Sequence, residues 1–488
     1  MKRQVAPEWA EKRGPPSTLE EVREGRLKRS LVSLLNTSCL ALTLSVTSRL
    51  DAELTSPEMA AAPHETGATR ACLYVPGLSV PAQMPAEVAR QAPMERAQIV
   101  KTPTPTATSS EKRELQERVL DGLANAVRDH YVVASVWGRD WQGAAARYRS
   151  LARQGLSDSD FYDAMQALVR ELGDKHSYFQ SPSRIQQDRE AIAGRNDFVG
   201  VGALFSPVAG TEQAVVMSVF PASPASEAGL RPHDLLQYVD GGRIRESSGI
   251  SRTLGPAGTT TTLTVQRPGE SPREVRVTRR RVSGALPIDF CLVPGARIGY
   301  VFLPTLMDET MDDQLREALR RMTVEGPLRG LILDNRLNGG GLGSVTQAIL
   351  SLFVGGLQGH FVSRAKREPL QLVAEDIGGS QNVPLIVLVD ADTVSYGEVM
   401  SGVLQLSGRA RLVGGRTRGN VEQLRRFDFA DGSRAWLAAA TFEPLGRAAG
   451  SWEESGVVPD VLLPTRWDLF TEATDPALAK AVELLLAK

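Results

Sequence analysis

Three kinds of hydrophobic spacing follow one another along this chain. From Glu111 onward, Leu115, Val119, Leu123 and Val127 recur at every fourth position, which predicts an amphipathic helix. Stretches 141–154 and 161–172 repeat that spacing, and Ser157-Asp158-Ser159-Asp160 offers cap residues ahead of the second. The helical part ends at Gly173-Asp174-Lys175-His176-Ser177. From about Asp197 to Val282 the pattern becomes that of strands. Val199-Gly200-Val201-Gly202-Ala203-Leu204 alternates small and apolar residues, 214–220 and 234–239 read as strands, and 260–267 with 273–278 reads as a hairpin about Pro268-Gly269. A short helix over 222–230 ends at Gly229-Leu230. From Ala296 strands and helices alternate. Stretches 328–333 and 384–389 are near-continuous apolar runs, the mark of strands buried on both faces. Helices are predicted over 311–322, over 344–353 and around Val399, Met400, Val403 and Leu404, with a short strand at 410–413. Stretches 425–429 and 434–439 form a hairpin about Asp431-Gly432. Such alternation predicts a parallel-rich α/β core.

Composition narrows the class. The 488 residues give room for two to four domains. With 42% hydrophobic and 23% charged residues the chain has the profile of a soluble globular protein. A formal net charge of −1 supplies no basic field, so no nucleic acid partner is expected. No stretch is long and apolar enough to predict a stable membrane span. The Leu-rich stretch 31–46 follows Lys28-Arg29 and precedes the small residues Met59-Ala60-Ala61-Ala62, so a signal segment is expected within a leader of residues 1–110. That implies export to a periplasm or the exterior; an Ala/Pro-rich tail on a cytoplasmic protein is the other reading. Thr102-Pro103-Thr104-Pro105-Thr106 is a linker by composition. The three cysteines, Cys39, Cys72 and Cys291, show no C-x-x-C spacing, so neither a disulfide framework nor a zinc knuckle is expected. Cys291, in the apolar run Phe290-Cys291-Leu292-Val293, is expected to pack in the interior.

Three stretches carry candidate chemistry. Asp334-Asn335-Arg336-Leu337-Asn338-Gly339-Gly340-Gly341 directly follows a buried strand. Its glycines let the backbone approach a ligand and turn N–H groups outward, as an oxyanion hole, a phosphate site or a tight turn requires. Asp390-Ala391-Asp392-Thr393-Val394-Ser395-Tyr396-Gly397-Glu398 joins a strand to a helix. A serine there sits in the positive field of the helix start, which favours a developing alkoxide, although an ordinary N-cap has the same position. Trp452-Glu453-Glu454-Ser455-Gly456-Val457-Val458-Pro459-Asp460 pairs two acids beside a turn; by pattern alone they are solvated.

Together these stretches resemble the carboxyl-terminal-processing (tail-specific) serine peptidase family. GLILDNRLNGGG resembles its oxyanion segment, PLIVLVDADTVSYGEVMSGVLQLSGRARLVGGRTRGNVEQ its nucleophile segment, and EESGVVPDV its terminal signature. SPASEAGLRPHDLLQYVDG resembles the PDZ domains of bacterial proteases, with His233 where glycine is usual. The resemblance spans about Glu111 to Leu463. It implies a multidomain α+β fold: a helical domain at 111–190, a PDZ-like β-rich domain at 195–283, a crotonase-like (ββα spiral) α/β catalytic core at 284–470, and a C-terminal helix at 471–488.

The resemblance also implies roles. Ser395, three residues before Glu398, takes the nucleophile position. Many members pair the serine with a lysine in a T-x-G-K stretch, but here that stretch is Thr417-Arg418-Gly419-Asn420. After Ser395 the only lysines are Lys480 and Lys488, and arginine does not give up its proton. The chain therefore resembles the tricorn-like branch, which uses Ser–His–Glu. His176 ends the helical part where that branch places its base, and Glu453, with Glu454 as runner-up, lies where it places the acid. Of the other histidines, His64 falls in the leader, His233 in a turn of the PDZ-like part, His130 in a helix and His360 in a strand-like run. The oxyanion donors implied are the N–H groups of Gly340, Gly341 and Tyr396. Gly200, Val201, Gly202 and Ala203 would take the carboxylate of a substrate C-terminus. The expected activity is endopeptidase cleavage near the C-termini of proteins or peptides through an acyl-enzyme, with no cofactor and no metal. Three other readings compete: an inactive binding scaffold, which a fluorophosphonate probe on Ser395 would exclude; a peptidase with a different base; and an enzyme acting on acyl-CoA thioesters, which ligand titration would separate.

Overall fold

The computed structural model describes residues 69–78, 109–186, 197–245, 251–283, 286–448, 450 and 452–487. The signal segment, its cleavage zone, the 102–106 linker and His64 lie outside them. Among the described residues no helix is long and apolar enough to cross a membrane.

The first three described α-helices are Ser110–His130, Trp141–Gln154 and Asp158–Arg170. Their starts are fixed locally. Ser109 and Ser157 accept from the backbone N–H three residues on, and Asp140 accepts from Gly143 N. The predicted apolar stripe is buried: Val119, Leu123 and Val127 join Phe161, Met165 and Leu168 in one cluster, which also takes in Ala435, Leu437 and Ala438 of a sheet below. That sheet has five strands. Tyr178–Gln180 pairs antiparallel with Arg434–Pro444, which also pairs with Gln423–Asp428 and Gly356–Ser363; Arg367–Leu372 closes the far edge.

Residues 197–283 form a separate β module. Strands Ala203–Pro207, Ala214–Val219, Leu235–Val239, Thr260–Gln266 and Arg273–Thr278 make an antiparallel sheet in that spatial order, around a core of Val216, Leu236, Leu263 and Val265. Ala203–Pro207 lies at its edge. The module rests on the rest of the molecule through His233, whose ring stacks on Trp467 at 4.0 Å and whose Nδ1 lies 3.0 Å from Trp467 O, while Trp467 Nε1 donates to Val216 O. Burial lowers the His233 pKa to about 4.

A six-stranded sheet runs Val461–Leu462, Ala410–Gly414, Leu385–Val389, Gly330–Asp334, Ile298–Phe302, Asp289–Val293, all parallel except the last. Strands Leu385–Val389 and Gly330–Asp334 are buried throughout, as their apolar runs predict. Their side chains alternate between two cores. Leu331, Leu333, Val387 and Val389 meet helices Met311–Thr323, Gly343–Ser351 and Tyr396–Leu406; Ile332, Ile386 and Leu388 meet the C-terminal helix Pro476–Leu486. Gly402 lets the Tyr396–Leu406 helix approach Trp452, since a Cβ there would lie 2.4 Å from the indole.

Two features differ from the sequence-based expectation. The hairpin Gly356–Ser363 with Arg367–Leu372 is not signalled, because its strands are only partly buried and Pro369 interrupts the second. The cysteines differ more sharply: Cys72 and Cys291 form a disulfide across 219 residues. Residues 70–72 run beside strand Asp289–Val293, with Cys72 N donating to Leu292 O and Leu292 N to Arg70 O, both at 2.9 Å. Long-range pairing of this kind leaves no local spacing to read. Cys291 is also fully buried, as its apolar run implies.

Candidate active site

The strands Gly330–Asp334 and Leu385–Val389 deliver two loops to the same end of the sheet, and the loops are stitched together. Val394 N donates to Asn338 O, Thr393 Oγ1 to Asn335 O, and Asn335 Nδ2 to Gly397 O, all at 2.9 Å. Below them lies a buried charge network. Arg336 pairs with Asp334 and Asp475 at 2.5 and 2.6 Å and lies over the Trp467 ring. Asp390 accepts from Leu337 N and Asp392 N; burial, with Asp392 nearby, pushes its carboxyl up to about 7.

Ser395 stands at the turn into helix Tyr396–Leu406 with φ 57° and ψ −126°. A non-glycine residue there carries about 1–3 kcal/mol of strain, and such turns put a side chain on display. Glu398 holds the turn in place. Its buried carboxylate accepts from Thr417 Oγ1 and Gly419 N at 2.6 Å each, from Asn420 N at 2.8 Å and from Ser395 N at 3.1 Å. Burial raises its pKa even against these four donors.

Gly340 packs directly on the serine: a Cβ there would lie 2.7 Å from Ser395 Cβ and 3.0 Å from Tyr396 N. Its N–H, however, donates to Asn338 Oδ1 at 3.0 Å. The expected oxyanion donor is thus already engaged, because Asn338 closes an Asx turn over the loop. The N–H groups of Gly341 and Tyr396 donate to no described residue.

His176 is carried by a turn built on Asp174, which accepts from His176 N, Ser177 N, Ser177 Oγ and Tyr131 OH. Its side chain is 6% exposed, and Nε2 lies 2.9 Å from Glu453 Oε1; Glu453 Oε2 accepts from Val421 N. Glu454, the runner-up acid, is exposed and points its N–H to Gly419 O. Burial lowers the His176 pKa, but the hydrogen bond and charge of Glu453, with Glu422 and Asp174, outweigh it and leave the pKa above its usual value. No described residue bonds His176 Nδ1, and no hydrogen bond joins His176 to Ser395. Their segments meet through the 419–421 loop, where Gly419 and Asn420 donate to Glu398 and Val421 donates to Glu453. Asn420 Oδ1 is buried without a partner.

Glu422 escaped the sequence reading. It lies beside His176 and Glu453, and one ligand atom from each of the three falls within 4.8 Å of the others. Burial, then Glu453, pushes its carboxyl up to about 8. Only its position two residues after Asn420 could have drawn attention to it. Of the four residues expected to take a substrate carboxylate, Val201 spends its N–H on Thr253 O, whereas the Gly202 N–H has no described acceptor.

Comparison with known proteins gives the family of the chain. The profile of Peptidase family S41 matches residues 297–463. The chain is 30% identical over 358 residues to the chloroplastic C-terminal processing peptidase of Tetradesmus obliquus, covering 69% of this chain and 75% of the relative. It is 28% identical to the carboxyl-terminal-processing protease of Synechocystis, covering 68% of this chain and 77% of the relative. Among solved structures, the photosystem II D1 C-terminal processing protease superposes with a TM-score of 0.51 at 27% identity, over 73% of this chain and 94% of that one. Fold and relatives together define a serine-type peptidase acting on proteins. The chain belongs to peptidase family S41, the C-terminal processing peptidases.

Proposed function

We propose that this peptidase hydrolyses protein substrates near their C-termini with a Ser395–His176–Glu453 triad and an acyl-enzyme intermediate. The hydrogen bond of His176 to Glu453, across 277 residues of sequence, carries the reading. An acid so placed holds the imidazole in one tautomer, with the proton on Nε2, and stabilises the imidazolium. Nδ1 then offers the lone pair that takes the Ser395 proton on attack and returns it to the leaving amine. The Tyr396 N–H and a glycine of the 339–341 loop stabilise the oxyanion, Gly340 once its N–H leaves Asn338. Asn420 cannot act as the base, since an amide has no titrating proton near neutrality.

In the same reading the β module is a PDZ domain that takes the substrate C-terminus by strand addition at the Ala203–Pro207 edge, with the Gly202 N–H toward its carboxylate. A cleft of about 260 Å³ beside that edge, lined in part by Phe205, Pro207, Ile244 and Ser251, supports it. A peptide amidated at its C-terminus is expected to bind more weakly than the free acid. The disulfide supports an oxidising compartment, and so export. The test of the triad is fluorophosphonate labelling: Ser395 is expected to label in the wild type and the His176→Ala variant to label far more slowly. Equal labelling of both removes His176 from the mechanism.

A further inference from the structure

Hydrolysis leaves part of the histidine's surroundings unexplained. Glu422 is 4% exposed, yet its Oε2 has no hydrogen-bond partner. Thr441 Oγ1 is also buried without a partner. Glu422 stands one residue before the strand whose first residue, Gln423, pairs with Ala440, the neighbour of Thr441. A Cβ on Gly450 would lie 3.3 Å from Thr441 Oγ1 and 4.0 Å from Glu453 Cβ, so Gly450 lies close to both. Leaving such a group unpaired is costly, and more so where it is charged.

We propose that His176, Glu422 and Glu453 form a binding site for a divalent transition-metal cation of the zinc class. The donor set is one imidazole and two carboxylates, each offering an atom within 4.8 Å of the others. Zinc binds such atoms at about 2.0–2.2 Å, which sets tetrahedral ligands roughly 3.3 Å apart. The His176–Glu453 contact of 2.9 Å has to open slightly and Glu422 has to draw in. A dication relieves the repulsion between the two acids and gives the unpaired Oε2 a partner. Calcium and magnesium need six or more oxygen ligands, whereas a nitrogen with two carboxylates suits zinc or cobalt. The fourth position is left for a water.

The consequence for activity rests on the triad reading. A metal on Nε2 takes that lone pair, so the neutral ring carries its proton on Nδ1. No lone pair then remains to accept the Ser395 proton, and hydrolysis stops until the metal leaves.

The test separates binding from activity. The full chain, stripped with a chelator, is titrated with zinc chloride by calorimetry and with cobalt chloride by visible absorption. One site with tetrahedral cobalt bands is expected, in the Ser395→Ala variant as in the wild type. Glu422→Gln keeps the shape but lacks an anionic oxygen, and should weaken binding about 10- to 100-fold. The zinc concentration that halves hydrolysis should rise by the same factor, whatever the variant's own rate. Glu422→Asp, which withdraws the carboxylate by one methylene, should fall between. Absence of binding, or binding unaltered by both Glu422→Gln and His176→Ala, overturns the site. Binding without loss of hydrolysis keeps the site and refutes the triad's use of His176.

Discussion

Glu398 and Glu422 are both buried glutamates close to the reacting groups, and they are treated in opposite ways. Glu398 accepts four hydrogen bonds from Ser395, Thr417, Gly419 and Asn420. Glu422 has an oxygen with no partner, beside a second acid and an imidazole. The first region is a clamp: a saturated carboxylate holds a strained serine and the loop around it in one geometry. The second is a cluster of one imidazole and two acids in which one carboxylate oxygen is left without a partner. A nucleophile needs position above all, whereas a base needs a charge state that can change. In the proposed triad the two regions divide those requirements between them.

The contrast is broken most directly at its centre. Ser395→Ala should lower peptide hydrolysis by several powers of ten with the circular dichroism spectrum unchanged; a rate within about tenfold of wild type ends its assignment as nucleophile. His176→Ala should come close to the same loss, and Glu453→Gln should slow turnover strongly by removing the imidazolium's partner. The pairing of His176 with Glu453 can be tested by pH. Because Glu453 and its neighbours raise the His176 pKa, the acid limb of kcat/KM in metal-free buffer should lie above the ordinary value of about 6.5. Activity is lost as pH falls through that limb, and Glu453→Gln should move the limb to lower pH. A limb that stays put in Glu453→Gln contradicts the pairing.

The clamp should show itself in stability more than in rate profile. Glu398→Ala strands four donors at once and should cost about 3 kcal/mol or more, measured by chemical denaturation. The smallest effect is expected at Asn420→Ala. Its backbone N–H, which serves Glu398, survives the substitution, and its Oδ1 has no partner to lose. Turnover within about tenfold of wild type is expected; its collapse would shift attention from His176 to the 417–420 loop.

Much of this was readable before any coordinates. The runs around Leu331 and Leu385 announce buried strands because both faces of the sheet are covered. Ser395 and Glu398 share a short stretch, so their relation survives in one dimension. His176 and Glu453 are 277 residues apart, and only the resemblance to a family joins them in sequence. What was hidden depends on contacts that no local spacing encodes. Asn338 engages the Gly340 amide through a side-chain rotamer. Glu422 owes its character to burial beside Glu453, not to its neighbours in sequence.

The disulfide between Cys72 and Cys291 has a topological effect. With its ends 219 positions apart in sequence, it turns the helical part and the β module into a covalent ring hung on the sheet edge. A single backbone cut anywhere inside that ring opens it without freeing a fragment. For a peptidase that meets other copies of itself, one nick leaves a molecule still joined end to end. Two pieces appear only after a reductant has acted.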